Sequence, residues 1–491
     1  MNLPLTLAPV RQLQHTVMAL RLRTAATLWG LPVLLTLGAA PASAILTATT
    51  LAALICAVAN LRRPASILIT LPFFAMLSPM TGLLDLGVAN LVFSDLMFLP
   101  LAVQAVLLLI ARRRPAQPRV PVELVTLAFL FAAGVVVNLA AGWLVTSKPL
   151  LYLVQMAIVA WFSAAYATHH EDWLAVQRAW IVACVYGAAI LLHAYGEGRN
   201  LDTLKDVDIV ATVAPNDLLS LFRATYYYTG FHYLLGLCSV WVALRLVFPA
   251  TRMNRLMLTA ALAVLVPALV ATVNKTAIAA TFVATTATML MLFVRFPRKM
   301  AAVMVWFGLL GAAGLAVAGW QFAQLAENAQ IDLIFERLFS AGSLLTRLEV
   351  YLQAMEIWSS SAWTVLLGFG ADFLDGSGNP AFADTLKTSA TTGYVEGTLD
   401  SAWLSYMVEL GLPALVLLLA LFAGGLAKAL RGLNQMARFD DHAYAQASLF
   451  GGLIFLAIAM TTQMLGYSKT SWLPLQLLVV AAIGLRTREL G

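Results

Sequence analysis

The chain reads as an all-α polytopic membrane protein with about fourteen transmembrane helices, and three observations carry that reading. Of its 491 residues, 61% are hydrophobic and only 11% are charged, too few charges to cover a soluble surface. The apolar runs are continuous and about twenty residues long, the length that crosses the hydrocarbon as a helix, whereas a β-barrel shows alternating segments of about ten. Arginine and lysine gather in short connections between alternate runs. These are Arg11/Arg21/Arg23, Arg62/Arg63, Arg112/Arg113/Arg114/Arg119, Arg252/Arg255, Arg295/Arg298/Lys299, Lys428/Arg431/Arg438 and Arg486/Arg488. That asymmetry sets orientation in a membrane, and it accounts for the formal charge of +6 without nucleic acid as a partner.

Taken in order, the predicted spans are approximately 24–40, 43–60, 65–83, 93–111, 121–144, 150–167, 174–195, 229–248, 256–273, 276–294, 300–320, 401–425, 445–464 and 472–485. The first admits two readings, because Arg21/Arg23, an apolar stretch and Ala42-Ser-Ala44 also resemble a signal peptide with an unusually long leading region. Counting all fourteen leaves both termini in the cytoplasm and makes 1–491 a single integral membrane domain. Cys56, Cys184 and Cys238 all lie inside apolar runs, so neither a disulfide framework nor a metal cluster is implied. His15, His169, His170 and His442 fall on the cytoplasmic side of this topology, and no metal, Walker, nucleophile-elbow or dinucleotide pattern is present.

Two loops on the opposite side exceed what connecting helices requires: 197–228 and 321–400. Long loops are where function tends to sit. The larger carries only Arg337, Arg347 and Lys387 against ten acidic residues from Glu327 to Asp400, so an anion handled there must be held by individually placed cations.

Nine of the thirty basic residues fall on this outer side, and several stand where chemistry is possible. Lys275 interrupts an apolar stretch long enough for two crossings, which predicts a tight hairpin with the lysine near the N-terminus of the following helix. An anion there would meet the ammonium, free N–H groups and the positive end of the helix dipole; a lysine snorkelling to the interface is the alternative. Arg223 precedes Tyr226-Tyr-Tyr228 and Gly230, where a guanidinium among tyrosines either grips a phosphate or anchors the aromatic belt. Arg337 and Arg347 lie in helical-looking sequence. Leu345, Leu348, Leu352 and Met355 form an apolar stripe at 3–4 spacing, with Arg347, Val350/Tyr351 and Ala354 on another face. Such a helix could lie on the bilayer surface, and Arg347 beside Glu349 fits a solvated pair as well as a ligand. Asp400 opens a span as a base or as an N-cap shared with Ser401. Glu409, nine residues on, lies about 13–14 Å down a straight helix, a depth at which an ionisable group needs a cavity or a partner.

Together these stretches resemble the O-antigen ligase and polysaccharide polymerase superfamily of bacterial inner-membrane proteins. The residues that carry the likeness are Arg347 with Trp358, Gly368-Phe-Gly370, Asp400-Ser401 with Trp403-Leu404, and Glu409-Leu-Gly411, preceded by Arg223 with Gly230 and by Asn274-Lys275-Thr276. The likeness covers about 195–425. Lys275 replaces the usual arginine, losing bidentate geometry while keeping charge. Asp400-Ser401 stands where ligases carry a histidine, which favours a polymerase.

The resemblance implies transfer of a glycan from an undecaprenyl-pyrophosphate carrier to an acceptor hydroxyl, with inversion and with neither metal nor other cofactor. A departing pyrophosphate then needs cations, for which Arg223, Lys275 and Arg347 are the candidates. The hydroxyl needs a proton acceptor, Asp400 first and Glu396 second, with Glu409, Arg337 and His232 in support. The expected partners are lipid-linked oligosaccharide, membrane lipids and a chain-length regulator. An O-antigen ligase is the neighbouring reading. A flippase or other transporter is the reading of another class, although such proteins usually show charged spans and internal repeats.

Overall fold

The structure, a computed structural model, describes residues 8–38, 42–62, 66–77, 82–85, 90–92, 103, 120–140, 148–196, 230–249, 251–272, 274–301, 351–352, 354–370, 401–462 and 471–485. Apart from one short hairpin it is helical. In chain order the elements are α1 (Ala8–Leu37), α2 (Ala42–Arg62), α3 (Ile67–Leu77), strands β1 (Gly82–Asp85) and β2 (Asn90–Val92), α4 (Val122–Ala140), α5 (Lys148–Tyr166) and α6 (His170–Gly196). Then come α7 (Phe231–Val247), α8 (Arg252–Ala271), α9 (Lys275–Arg295), α10 (Ala362–Leu367), α11 (Ala402–Gln435), α12 (Asp441–Ala459) and α13 (Trp472–Ile483).

Five of these helices, α6, α8, α9, α11 and α12, are long and apolar enough to cross a membrane, and seven shorter apolar helices accompany them. Twelve predicted spans overlap described helices; the other two, 93–111 and 300–320, lie outside the described residues except for 103, 300 and 301, as does most of the two large loops. The predicted span 65–83 is corrected: α3 stops at Leu77, and Gly82–Asp85 pairs antiparallel with Asn90–Val92. Pro79 follows Ser78 directly, and the residue before a proline is pushed out of the helical region.

The centre of the bundle is made by α7, α12 and α13, which are buried along most of their length, while α8 buries only Leu265, Ala268 and Leu269. Small residues let the central helices approach. A Cβ at Gly236 of α7 would stand 2.6 Å from the Thr281 hydroxyl of α9 and 2.7 Å from the Phe455 ring of α12. Close approach through small residues is how helices associate in lipid, where burial against acyl chains provides little drive.

Polar side chains hold the same helices together. Gln177 Nε2 donates to Ser448 Oγ (2.6 Å), Trp180 Nε1 to Gln476 Oε1 (2.7 Å) and Trp241 Nε1 to the Ser448 carbonyl (3.1 Å). A satellite of aromatic rings, Trp29, Phe73, Phe74 and Tyr186, joins α1, α3 and α6, and Tyr186 Oη donates to the Ala26 carbonyl.

One end of the bundle collects the basic connections. There Arg245 pairs with Asp441 at 2.6 Å and lies over the Tyr444 ring, Arg295 donates to the Met436 carbonyl, and the rings of His170 and His442 stack at 4.8 Å. Phe439 stacks on Phe248 and meets Phe296 edge-on. This end gathers the C-termini of α7, α9 and α11 with the N-termini of α6, α8 and α12. Lys275 and the segment 351–370 belong to the opposite end.

Candidate functional site

At that opposite end, three stretches distant in sequence close on one another, beginning from Pro413. Proline has no N–H, so the carbonyl of Glu409, four residues earlier, loses its helical donor. Gly411 then takes φ 81° and ψ 175°, a region essentially reserved for glycine, and the helix changes direction. The rings of Trp403 and Phe422 consequently lie 5.1 Å apart, whereas nineteen residues of straight helix would separate their positions by about 28 Å. The arms 402–410 and 412–435 of α11 therefore form an acute hairpin. This corrects the expectation of one straight crossing over 401–425, and with it the depth assigned to Glu409.

The segment after α10 fills the break. Gly370 N–H donates to the Glu409 carbonyl (2.8 Å) and Phe369 N–H to the Val408 carbonyl (2.9 Å), so the acceptors freed by the bend are satisfied. The contact is backbone on backbone. A Cβ at Gly368, itself at φ 66°, would stand 2.3 Å from the Glu409 carbonyl oxygen, and one at Gly411 would stand 2.3 Å from that of Leu366. Trp358 and Ala354 bury against Met407 and Val408, with Tyr351, Val365, Phe369, Leu404 and Leu415 packed around them. A Ser361/Thr364 capping box starts α10, and the Thr364 hydroxyl donates to the Trp358 carbonyl at 2.6 Å, which fixes the turn between the two helical pieces.

The last carbonyls of a helix have no partner within it, and at the end of α12 neighbouring elements supply the donors. Trp403 Nε1 donates to Ala457 (3.1 Å), Ala402 N–H to Met460 (3.0 Å) and Tyr351 Oη to Thr461 (3.4 Å). The hydroxyls of Tyr233 and Thr462 are hydrogen-bonded to each other. The arms of α11, the 351–370 segment and the start of α7 thus meet around 457–462.

Arg223, Arg337, Arg347, Glu396 and Asp400 lie outside the described residues. Their chain neighbours are better placed. Ser401, next to Asp400, is buried and is the N-cap of α11, accepting from Leu404 N–H; the capping position therefore belongs to the serine. Tyr351 follows Arg347 by four residues. His232 is half-buried with its ring 4.2 Å from that of Tyr233.

Lys275 is the exposed first residue of α9, and Asn274 caps the helix by accepting from Ala277 N–H at 2.8 Å. Since α8 ends at Ala271, this is the tight hairpin the sequence predicts. Arg295, at the other end of the same helix, reaches the Met436 carbonyl at the basic end, so the N-terminus of α9 points towards the end where 457–462 lie. An anion brought there would meet the lysine and the helix N-terminus together.

Glu409 is only 3% exposed. Its backbone carbonyl is the one that accepts from Gly370 N–H in the clasp. Sequence reasoning missed Tyr233, Tyr351, Thr462 and Pro413. Of these only the proline carried a local signal, two residues after a glycine inside an apolar run. Compared with known proteins, the chain matches no family model and no curated relative.

Proposed function

We propose that the protein polymerises undecaprenyl-pyrophosphate-linked oligosaccharide repeat units into exopolysaccharide or O-antigen at the periplasmic face of the bacterial inner membrane. In this reading it is a glycosyltransferase that inverts the anomeric centre and works without metal. One observation carries the reading: Trp358, Gly368-Phe-Gly370 and Glu409-Leu-Gly411, three of the stretches on which the family resemblance rests, form one contiguous clasp although Glu409 comes thirty-nine positions after Gly370. A resemblance spread along a sequence by chance gives no reason for its parts to touch.

In the proposed mechanism Lys275, Arg223 and Arg347 bind the pyrophosphate and stabilise the charge that develops on it as it leaves. Asp400, or Glu396 in its place, takes the proton of the acceptor hydroxyl as that oxygen bonds to the anomeric carbon. Ser401 supports this assignment by filling the N-cap of α11 itself, so capping that helix does not call on Asp400. Glu409 orients one of the pyrophosphate-binding arginines, with Arg337 and His232 in support. The growing glycan occupies the Gly- and Asn-containing stretch after Gly370, and a chain-length regulator is the expected protein partner.

Cells carrying Arg347→Ala should make no polymer while the protein stays at normal abundance. Full-length polymer from that variant would sink the assignment. Asp400→Asn tests the base separately, and unchanged turnover would return Asp400 to a structural role.

A further inference from the structure

The clasp leaves a set of apolar side chains facing outward. On the 351–358 helix, Ala354 and Trp358 point into the clasp while Leu352 and Met355, the two described members of the predicted stripe, are 62% and 37% exposed. On α10, Val365 packs inward while Trp363, Leu366 and Leu367 are 73%, 50% and 61% exposed. α10 carries apolar side chains on both faces, whereas the 351–358 stretch also exposes Glu356, one turn on from Leu352. Leu366 and Leu367 are in backbone contact with Gly411, and from there the second arm of α11 continues the surface through exposed Leu412, Val416 and Leu419, one stripe at helical spacing.

The length of that arm says what covers the surface. Leu410 to Ala427 holds no charged residue, and Lys428 and Arg431 follow. Eighteen residues rise about 27 Å, close to the thickness of the hydrocarbon. With the two basic residues at one headgroup layer, Gly411 reaches the other, and the backbone touching it does too.

We propose that α10, Ala362–Leu367, is seated in the bilayer leaflet opposite the basic connections. Leu366 and Leu367 contact acyl chains there, and Trp363 lies at the headgroup boundary as an interfacial anchor. The occupant of this surface is lipid. This part of the large loop is thus a membrane-embedded strut for the Gly368–Gly411 clasp, and the inference stands whether or not the protein is a polymerase.

The test is made on the full chain in vesicles of phosphatidylethanolamine and phosphatidylglycerol. Cys56, Cys184 and Cys238 are replaced by alanine, and single nitroxide labels are placed at positions 363, 366, 367 and, in the exposed turn, Ser360. Collisions with oxygen should exceed those with a water-soluble nickel chelate several-fold at 366 and 367, the two should be comparable at 363, and the preference should reverse at Ser360. Nickel preference at 363, 366 and 367 would show the segment in water, and protection from both reagents would show it covered by a second copy or another protein; either overturns the proposal. If the cysteine-free protein does not fold, the unaltered chain decides: brominated lipid should quench its tryptophan emission more than that of Trp363→Phe, and equal quenching would count against lipid contact.

Discussion

Gly411→Ala puts the clasp to a quantitative test. The substituted residue must keep φ 81° and ψ 175°, which costs on the order of 1–3 kcal/mol for a side-chain-bearing residue, or else the hairpin must open. Its Cβ would also stand 2.3 Å from the Leu366 carbonyl oxygen and 2.9 Å from Leu367 N, and both are backbone atoms that cannot swing aside. Separating the segments breaks the bonds from Gly370 N–H to Glu409 and from Phe369 N–H to Val408, each contributing about 1 kcal/mol net and more where the freed group meets no water. Opening breaks those bonds in either protein and releases the strain only in the variant, so the substitution lowers the local opening free energy by on the order of 1–3 kcal/mol, or about one to two decades in an exchange rate. Amide hydrogen exchange read at Phe369 and Gly370 measures it directly. The control is Gly424→Ala in the same helix, where a Cβ meets nothing within 4 Å and replacing a mid-helix glycine is neutral to mildly stabilising. Protection at Phe369 and Gly370 as strong in Gly411→Ala as in the unaltered protein would refute the reasoning.

Other perturbations separate the parts of the account. Pro413→Ala returns an N–H that can reclaim the Glu409 carbonyl, so Gly370 should lose protection with little change in overall thermal unfolding. Gly236→Ala drives a Cβ against Thr281 and Phe455 and should lower stability by about 1–3 kcal/mol, seen as a lower midpoint of thermal unfolding in detergent. Arg245→Ala removes a pair whose partner Asp441 is half-exposed together with a cation–π contact to Tyr444. Each such interaction contributes about 1 kcal/mol or less, so its midpoint should fall less than that of Gly236→Ala.

Much of the segmentation was legible because hydropathy and the charges between the runs act locally. The end of α3 was readable too, in Ser78-Pro79, but a continuing apolar run hid it. The hairpin in α11 was hidden for the same reason. Hydropathy passes unchanged through Leu410–Leu412, so 401–425 reads as a single crossing, whereas the decisive fact is stereochemical: Pro413 removes the donor for Glu409, and Gly411 permits the turn. The partner that fills the gap, Phe369-Gly370, comes from another loop, and no local pattern announces it. The same holds for the bonds that Tyr351, Ala402 and Trp403 make to the end of α12, which depend on where the helices finish relative to one another. Buried Gln177 and Gln476 were passed over because they carry no charge, yet they link α6 to α12 and α13.

The central claim is tested most directly by giving the purified protein in vesicles its proposed substrate alone, undecaprenyl-pyrophosphate-linked repeat units, and resolving the products by length. The account predicts a ladder of polymers growing with time, lost in Arg347→Ala. Repeat units that cross the membrane without being joined, or that are joined only when a lipid A-core acceptor is supplied, would contradict it.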